Sequence, residues 1–144
     1  MLPDQKNESS WNLLFFAWLI ALVATASALF IGEVMGQAPC NLCWFQRIFM
    51  FPLVLILGVA LYRGDLSVWR YALPLSFGGL AVAIFHCLQY FDILPESIQP
   101  CMSEGPSCSG SGMTLWGIVP LPVLSALAFS LITMCLAFIQ RRSK

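Results

Sequence analysis

The chain has 144 residues, of which 59% are hydrophobic and only 10% charged, with a mean hydropathy of +0.82 and no net charge. An ordinary soluble domain is about 25% charged, so seven basic and seven acidic residues cannot coat a water-soluble fold of this size. A soluble enzyme and a disordered chain are excluded on these grounds. A nucleic-acid binder is excluded because zero net charge leaves no basic footprint.

The charges are also segregated. None falls in residues 9–32, 48–62, 71–91 or 105–140, stretches of 24, 15, 21 and 36 residues. A helix rises about 1.5 Å per residue and the hydrocarbon core is about 30 Å thick, so a span needs roughly 20 apolar residues. The expected fold is therefore an all-α membrane protein: one four-transmembrane-helix domain over residues 1–144, with two cysteine-bearing extracytoplasmic loops.

In chain order, the first helix is expected at about 12–32. Ala24, Ala26 and Ala28 imitate a signal-peptide cleavage site, but the apolar run continues through Leu29-Phe30-Ile31. The preceding segment carries Asp4, Lys6 and Glu8 rather than a basic cluster, so a retained helix is the reading. An outer loop follows at about 33–43. The second helix, about 44–62, reaches span length only if it starts near Trp44 with Arg47 inside it. The third is expected at about 70–91, a second outer loop at about 92–114, and the fourth helix at about 115–139. Pro52, Pro120 and Pro122 are expected to kink or loosen helices 2 and 4. Trp11, Trp44, Trp69 and Trp116 lie near helix ends and read as interface anchors.

Basic residues set the orientation. With both termini cytoplasmic, Lys6, Arg63, Arg70, Arg141, Arg142 and Lys144 lie inside and only Arg47 lies outside. Cys40, Cys43, Cys101 and Cys108 then all face the oxidising compartment, where disulfides persist. Cys87 and Cys135 fall in helices 3 and 4. Their axial separation of about 18–24 Å exceeds the bridging limit of about 7 Å between Cα atoms, so they read as buried free thiols.

Cys40-Asn41-Leu42-Cys43 has the two-residue spacing used by disulfides that open and close. Pro39 precedes it and an apolar helix follows, so the pair is expected at a helix N-terminus, where the dipole stabilises a thiolate. Arg47, one turn beyond Cys43, can add positive charge. Structural disulfides remain open, as does a zinc tetrad of the four outer cysteines. The six residues between Cys101 and Cys108 fall outside the usual zinc-ligand spacing, and no metal is expected.

Two exchanging disulfides need an electron sink, and in lipid a quinone can serve. His86, the single histidine, is expected at a depth similar to Arg47. Such intramembrane polar groups are functional candidates. For His86 an interhelical hydrogen bond is the competing reading, and Gln46 and Gln89 are open in the same way.

The run Pro39-Cys40-Asn41-Leu42-Cys43-Trp44-Phe45-Gln46-Arg47-Ile48 resembles the signature of the DsbB/BdbC family of bacterial disulfide-bond oxidoreductases. The resemblance extends over nearly the whole chain: four helices, a second-loop cysteine pair, a histidine late in helix 3 and a proline-bearing helix 4. It implies an enzyme of the bacterial cytoplasmic (inner) membrane. Such an enzyme reoxidises a DsbA-like thiol oxidase and passes two electrons to quinone, either ubiquinone or menaquinone. By the same resemblance Cys101 forms the mixed disulfide with the partner, Cys108 is its pair, and Cys40 exchanges with that pair. Cys43 is then the thiolate facing quinone, with Arg47 and His86 lining the site and Gln46 beside them. The short spacing between Cys101 and Cys108 resembles the BdbC form.

Two other readings compete with this one. A vitamin-K-epoxide-reductase-like enzyme would carry its loop pair before the CxxC, the reverse of the order here. A non-enzymatic membrane protein would use both outer disulfides only as staples.

Overall fold

The computed structural model describes residues 5–93, 114–115 and 118–143. In lipid, backbone N–H and C=O groups must pair within their own segment, so long charge-free runs fold as helices. Helix α1 spans Gln5–Leu29 and continues as a π-helical turn over Phe30–Val34. Helix α2 spans Asn41–Arg63, a 3-10 turn covers Leu66–Val68, α3 spans Trp69–Tyr90 and α4 spans Leu121–Ser143. All four helical segments are long and apolar enough to cross a membrane, at 23 to 28 residues each.

The turn between α2 and α3 depends on a glycine. Gly64 ends α2 in the left-handed region at φ +68, and its N–H reaches the Ala60 and Leu61 carbonyls. A side chain would strain that conformation. Asp65 then accepts the Ser67 backbone N–H at 2.9 Å and opens the 3-10 turn.

Each helix packs on its sequence neighbour, and α4 packs back on α1, closing a four-membered ring. The core is an inward stripe from every helix: Leu14, Ala17 and Ala21; Leu53, Leu57 and Ala60; Ala72 and Ala83; Phe129, Ile132, Leu136 and Ile139. The repeats of three and four residues are those of one helix face. Outward faces carry large apolar side chains such as Leu55, Tyr62, Tyr71 and Phe77, which in a soluble protein would form an untenable surface. Helix α3 approaches α4 closely because Gly79 has no Cβ, and one placed there would overlap the Phe129 ring. Near this contact the Thr133 hydroxyl lies 2.7 Å from the Phe129 carbonyl and 3.1 Å from Ser76 Oγ, linking the two helices.

Several boundaries differ from the sequence expectation. Helix α2 begins at Asn41 rather than Trp44, so Cys43 lies in its first turn and Cys40 is its N-cap. Helix α4 begins at Leu121 rather than 115. Before it, Thr114–Leu115 pairs antiparallel with Val119–Pro120, Thr114 opposite Pro120 and Leu115 opposite Val119. Hydropathy cannot see that boundary, whereas proline can: it lacks an N–H and suits a first helical turn. Pro120 and Pro122 therefore mark where α4 starts and do not kink it. Pro52 and Pro74 sit inside α2 and α3, which remain continuous. Cys101, Cys108 and Trp116 lie outside the described residues.

The alternating helices bring Arg63, Arg70, Arg141 and Arg142 to one end of the bundle. Arg47, the start of α2, the end of α3 and the π turn of α1 share the other end.

Candidate functional site

The site forms where the first turn of α2 meets the last turns of α3. Cys40 caps α2, and its Sγ accepts the Cys43 backbone N–H at 3.3 Å, one of the donors that a helix start leaves unpaired. The two sulfurs are 2.9 Å apart. His86 Nε2 lies 3.8 Å from Cys40 Sγ, and on the far side of the ring Nδ1 is 3.0 Å from Gln46 Nε2. An amide nitrogen can only donate, so Nδ1 accepts and the neutral ring carries its proton on Nε2, directed at Cys40. Cys40, His86 and Gln46 are all buried, and Leu42, Val82, Phe85 and Tyr90 pack around the sulfur.

Cys40 lies just outside the membrane-spanning segment. The hydrogen bond from the Cys43 thiol holds it well below the ordinary thiol range. Burial opposes that shift, while His86 and the Cys43 N–H add to it. The sequence reading set a helix-stabilised thiolate on the CxxC pair; the donors converge on its first member, Cys40. The reason is the earlier helix start, which makes Cys40 the cap and turns the free N–H of the first turn onto it.

Cys43 is the more accessible residue, half-buried where Cys40 is fully buried. Arg47, one turn along, was expected to add positive charge beside it. Its Nη2 donates to the Ala28 carbonyl on α1 at 2.8 Å, and the guanidinium carbon lies 5.4 Å from the centre of the Trp44 ring. Gly32 permits this, since a Cβ there would come within 3.0 Å of Nη2. Neither Ala28 nor Gly32 was legible as a site residue. The only signal was an isolated glycine within an apolar helix pattern.

The surroundings of Arg47 are aromatic and open. Trp44, Phe45 and Ile48 on α2 and Phe30, Val34 and Met35 at the end of α1 are all exposed on the outward face. A planar quinone fits this donor set: Trp44 and Phe45 offer faces for stacking, and Arg47 offers N–H groups to a quinone oxygen. A separate apolar groove of about 310 Å³, lined by Trp11, Phe15, Trp18, Gly58, Leu61 and Tyr62, lies at the far end of α2. Gly58 is about 22 Å along the helix from Cys43, too far for contact with the sulfurs.

Three further polar or thiol residues complete the picture. Gln89, one turn beyond His86 on α3, is buried, and its Oε1 has no partner among the described residues. Cys87 and Cys135 have no disulfide partner among the described residues, and Cys135 packs against the core.

Comparisons with known proteins agree with this geometry. The family described as "Disulfide bond formation protein DsbB" matches residues 8–139. A "Probable disulfide formation protein" of Metapseudomonas resinovorans is 60% identical over 142 residues, covering 99% of each chain. "Disulfide bond formation protein C" of Bacillus subtilis is 42% identical over 125 residues, covering 85% of this chain and 90% of that one. A "Probable disulfide formation protein" of Deinococcus radiodurans is 40% identical over 137 residues, covering 90% of this chain and 89% of that one. No solved structure gives a significant match. This chain, a bundle of four membrane-spanning helices with its CxxC at the start of α2, thus belongs to the DsbB family of disulfide bond formation proteins.

Proposed function

We propose that this chain is a quinone-linked thiol–disulfide oxidoreductase of the bacterial cytoplasmic membrane that reoxidises a DsbA-like thiol oxidase. Its termini are cytoplasmic and its cysteine loops extracytoplasmic. The observation that carries the reading is the division of labour at one helix start. Cys40 is buried against His86, whose other ring nitrogen meets Gln46, while Cys43 is half-buried and followed by the exposed Trp44 and Phe45.

The cycle begins when a thiolate of the reduced partner attacks Cys101 in the Cys101–Cys108 disulfide. The partner's second thiolate resolves the mixed disulfide, so the partner leaves oxidised and Cys101 and Cys108 become thiols. That pair exchanges with Cys40–Cys43, which becomes reduced in turn. A bound quinone supplies a planar acceptor for two electrons and two protons. His86 directs its Nε2 N–H at Cys40 Sγ and so favours the thiolate there, and Gln46, donating to Nδ1, keeps the ring proton on Nε2. Arg47 holds a negative oxygen without itself losing its proton. Trp44 and Phe45 orient a flat ring beside Cys43.

The reading is tested by supplying purified protein with a reduced DsbA-type partner and quinone and following both. Stoichiometric partner oxidation and quinone reduction are expected. Disulfides that open only in strongly reducing buffers, with potentials below about −300 mV, would mark structural staples instead. A vitamin-K-epoxide-reductase-like reading gains nothing from the family match.

A further inference from the structure

Among the described residues, three metal-competent side chains come together: the ligand atoms of Cys40, Cys43 and His86 all lie within 4.8 Å of one another. This set differs from the four-cysteine tetrad considered from the sequence, because it draws one ligand from α3 and needs nothing from the second loop.

The geometry points to a zinc-binding state of the reduced Cys40–Cys43 pair, with His86 Nε2 as the third ligand and one coordination position open. With Zn–S at about 2.3 Å and Zn–N at about 2.0–2.1 Å, a tetrahedral ion holds two sulfurs about 3.8 Å apart and a sulfur and nitrogen about 3.5 Å apart. The Cys40–His86 separation is already 3.8 Å. The sulfurs, at 2.9 Å, must open by about 0.9 Å, within reach of a small rotation of the half-buried Cys43 side chain.

Gln46 suits the ion as well as it suits the free thiols. Turning its amide over presents Oε1 to His86 Nδ1, which then carries the ring proton and leaves the Nε2 lone pair for the metal. A hydrogen-bond acceptor on the distal nitrogen is the usual support of a metal-bound histidine. Two thiolates also neutralise the divalent charge, which matters in surroundings as apolar as Leu42, Val82 and Phe85.

Binding displaces whatever thiol protons the reduced pair still holds to solvent and moves no electrons. The Cys40–Cys43 disulfide has no thiolate to offer, so the site exists only in the reduced state. Zinc from the outer compartment therefore arrests the enzyme after it has accepted electrons and before it passes them on, and a chelator releases it. This arrest rests on the function proposed above; the binding does not.

The test uses the full chain in detergent, with Cys101→Ser and Cys108→Ser removing the loop thiols, and neither quinone nor partner present. Cobalt(II) serves as the spectroscopic probe and zinc as its competitor. The reduced protein is expected to bind one cobalt per chain, with a thiolate-to-metal charge-transfer band and the visible bands of a tetrahedral ion. Zinc should abolish both. The oxidised protein should bind none, a comparison that needs no further substitution. His86→Ala should weaken binding at least tenfold, and Gln46→Ala less. Equal binding by oxidised and reduced protein, or an affinity unchanged by His86→Ala, would overturn the site.

Discussion

Cys40 and Cys43 are one helical turn apart, yet they differ in burial. Cys40 has no exposed surface and is surrounded by donors: a backbone N–H, the Cys43 thiol and the ring of His86. Cys43 is half-buried, and the outward side chains that flank it are Trp44 and Phe45, with Arg47 tied to α1 a turn away. A single turn of α2 thus separates a buried cysteine ringed by hydrogen-bond donors from a half-buried one followed by exposed aromatic side chains. The difference teaches why a two-residue spacing is useful here. Cysteines three positions apart keep their sulfurs within bonding reach while one is sealed in the bundle and the other stays part-exposed.

The largest effect should come from removing either sulfur. Cys40→Ser and Cys43→Ser should each abolish catalytic quinone reduction, measured as loss of quinone absorbance with a reduced partner supplied. Residual turnover by either variant would show that the two sides are not parts of one pair.

Next is Arg47. A charge-assisted hydrogen bond contributes about 1.5–3 kcal/mol, so Arg47→Ala should lower kcat/KM for quinone by roughly 10- to 150-fold. Arg47→Lys should lose less, because it keeps the charge but not the guanidinium fork. Neither should alter the partner's KM. A defect in the partner's KM alone would take Arg47 off the lipid side. Gly32→Ala should give a milder version, a several-fold rise in quinone KM, because the new Cβ crowds Nη2.

His86 sharpens the other side. Because Cys40 is held below the ordinary thiol range, its thiolate should already be present near neutral pH and be lost only as pH falls through the lowered value. His86→Ala removes one of the donors responsible, so the midpoint should move upward. Titrating thiolate absorbance in reduced protein lacking the other four cysteines checks this. An unchanged midpoint would mean that His86 does not act on Cys40.

The smallest effect should lie far from either sulfur. Thr133→Val breaks the clasp to Ser76, and interhelical hydrogen bonds in membranes average about 0.6 kcal/mol. Stability should fall slightly in a detergent unfolding assay, with kcat unchanged.

Much of this was open to reading in the sequence, for physical reasons. Charge-free runs near bilayer length leave little but helices, and the loop cysteines stood out against apolar surroundings. Where a helix begins was harder, since Asn41 and Leu42 are equally at home in a loop or in a first turn. The same ambiguity hid the hairpin before α4, where Pro120 and Pro122 allowed either a kink or a start. On helices apolar all round, hydropathy does not say which face turns inward, so the Gln46–His86 pairing appeared only once α2 and α3 were packed. Arg47 was legible as an intramembrane charge, but its partner is the carbonyl of Ala28, and backbone groups carry no sequence signature.

The central claim is that Cys40 and Cys43 themselves pass electrons to quinone. It is tested most directly by a single turnover with the Cys101→Ser/Cys108→Ser protein, chemically reduced, freed of reductant and mixed with quinone. One quinone reduced per chain, with one Cys40–Cys43 disulfide formed in step, is the predicted result. No quinone reduction while both thiols persist would contradict it.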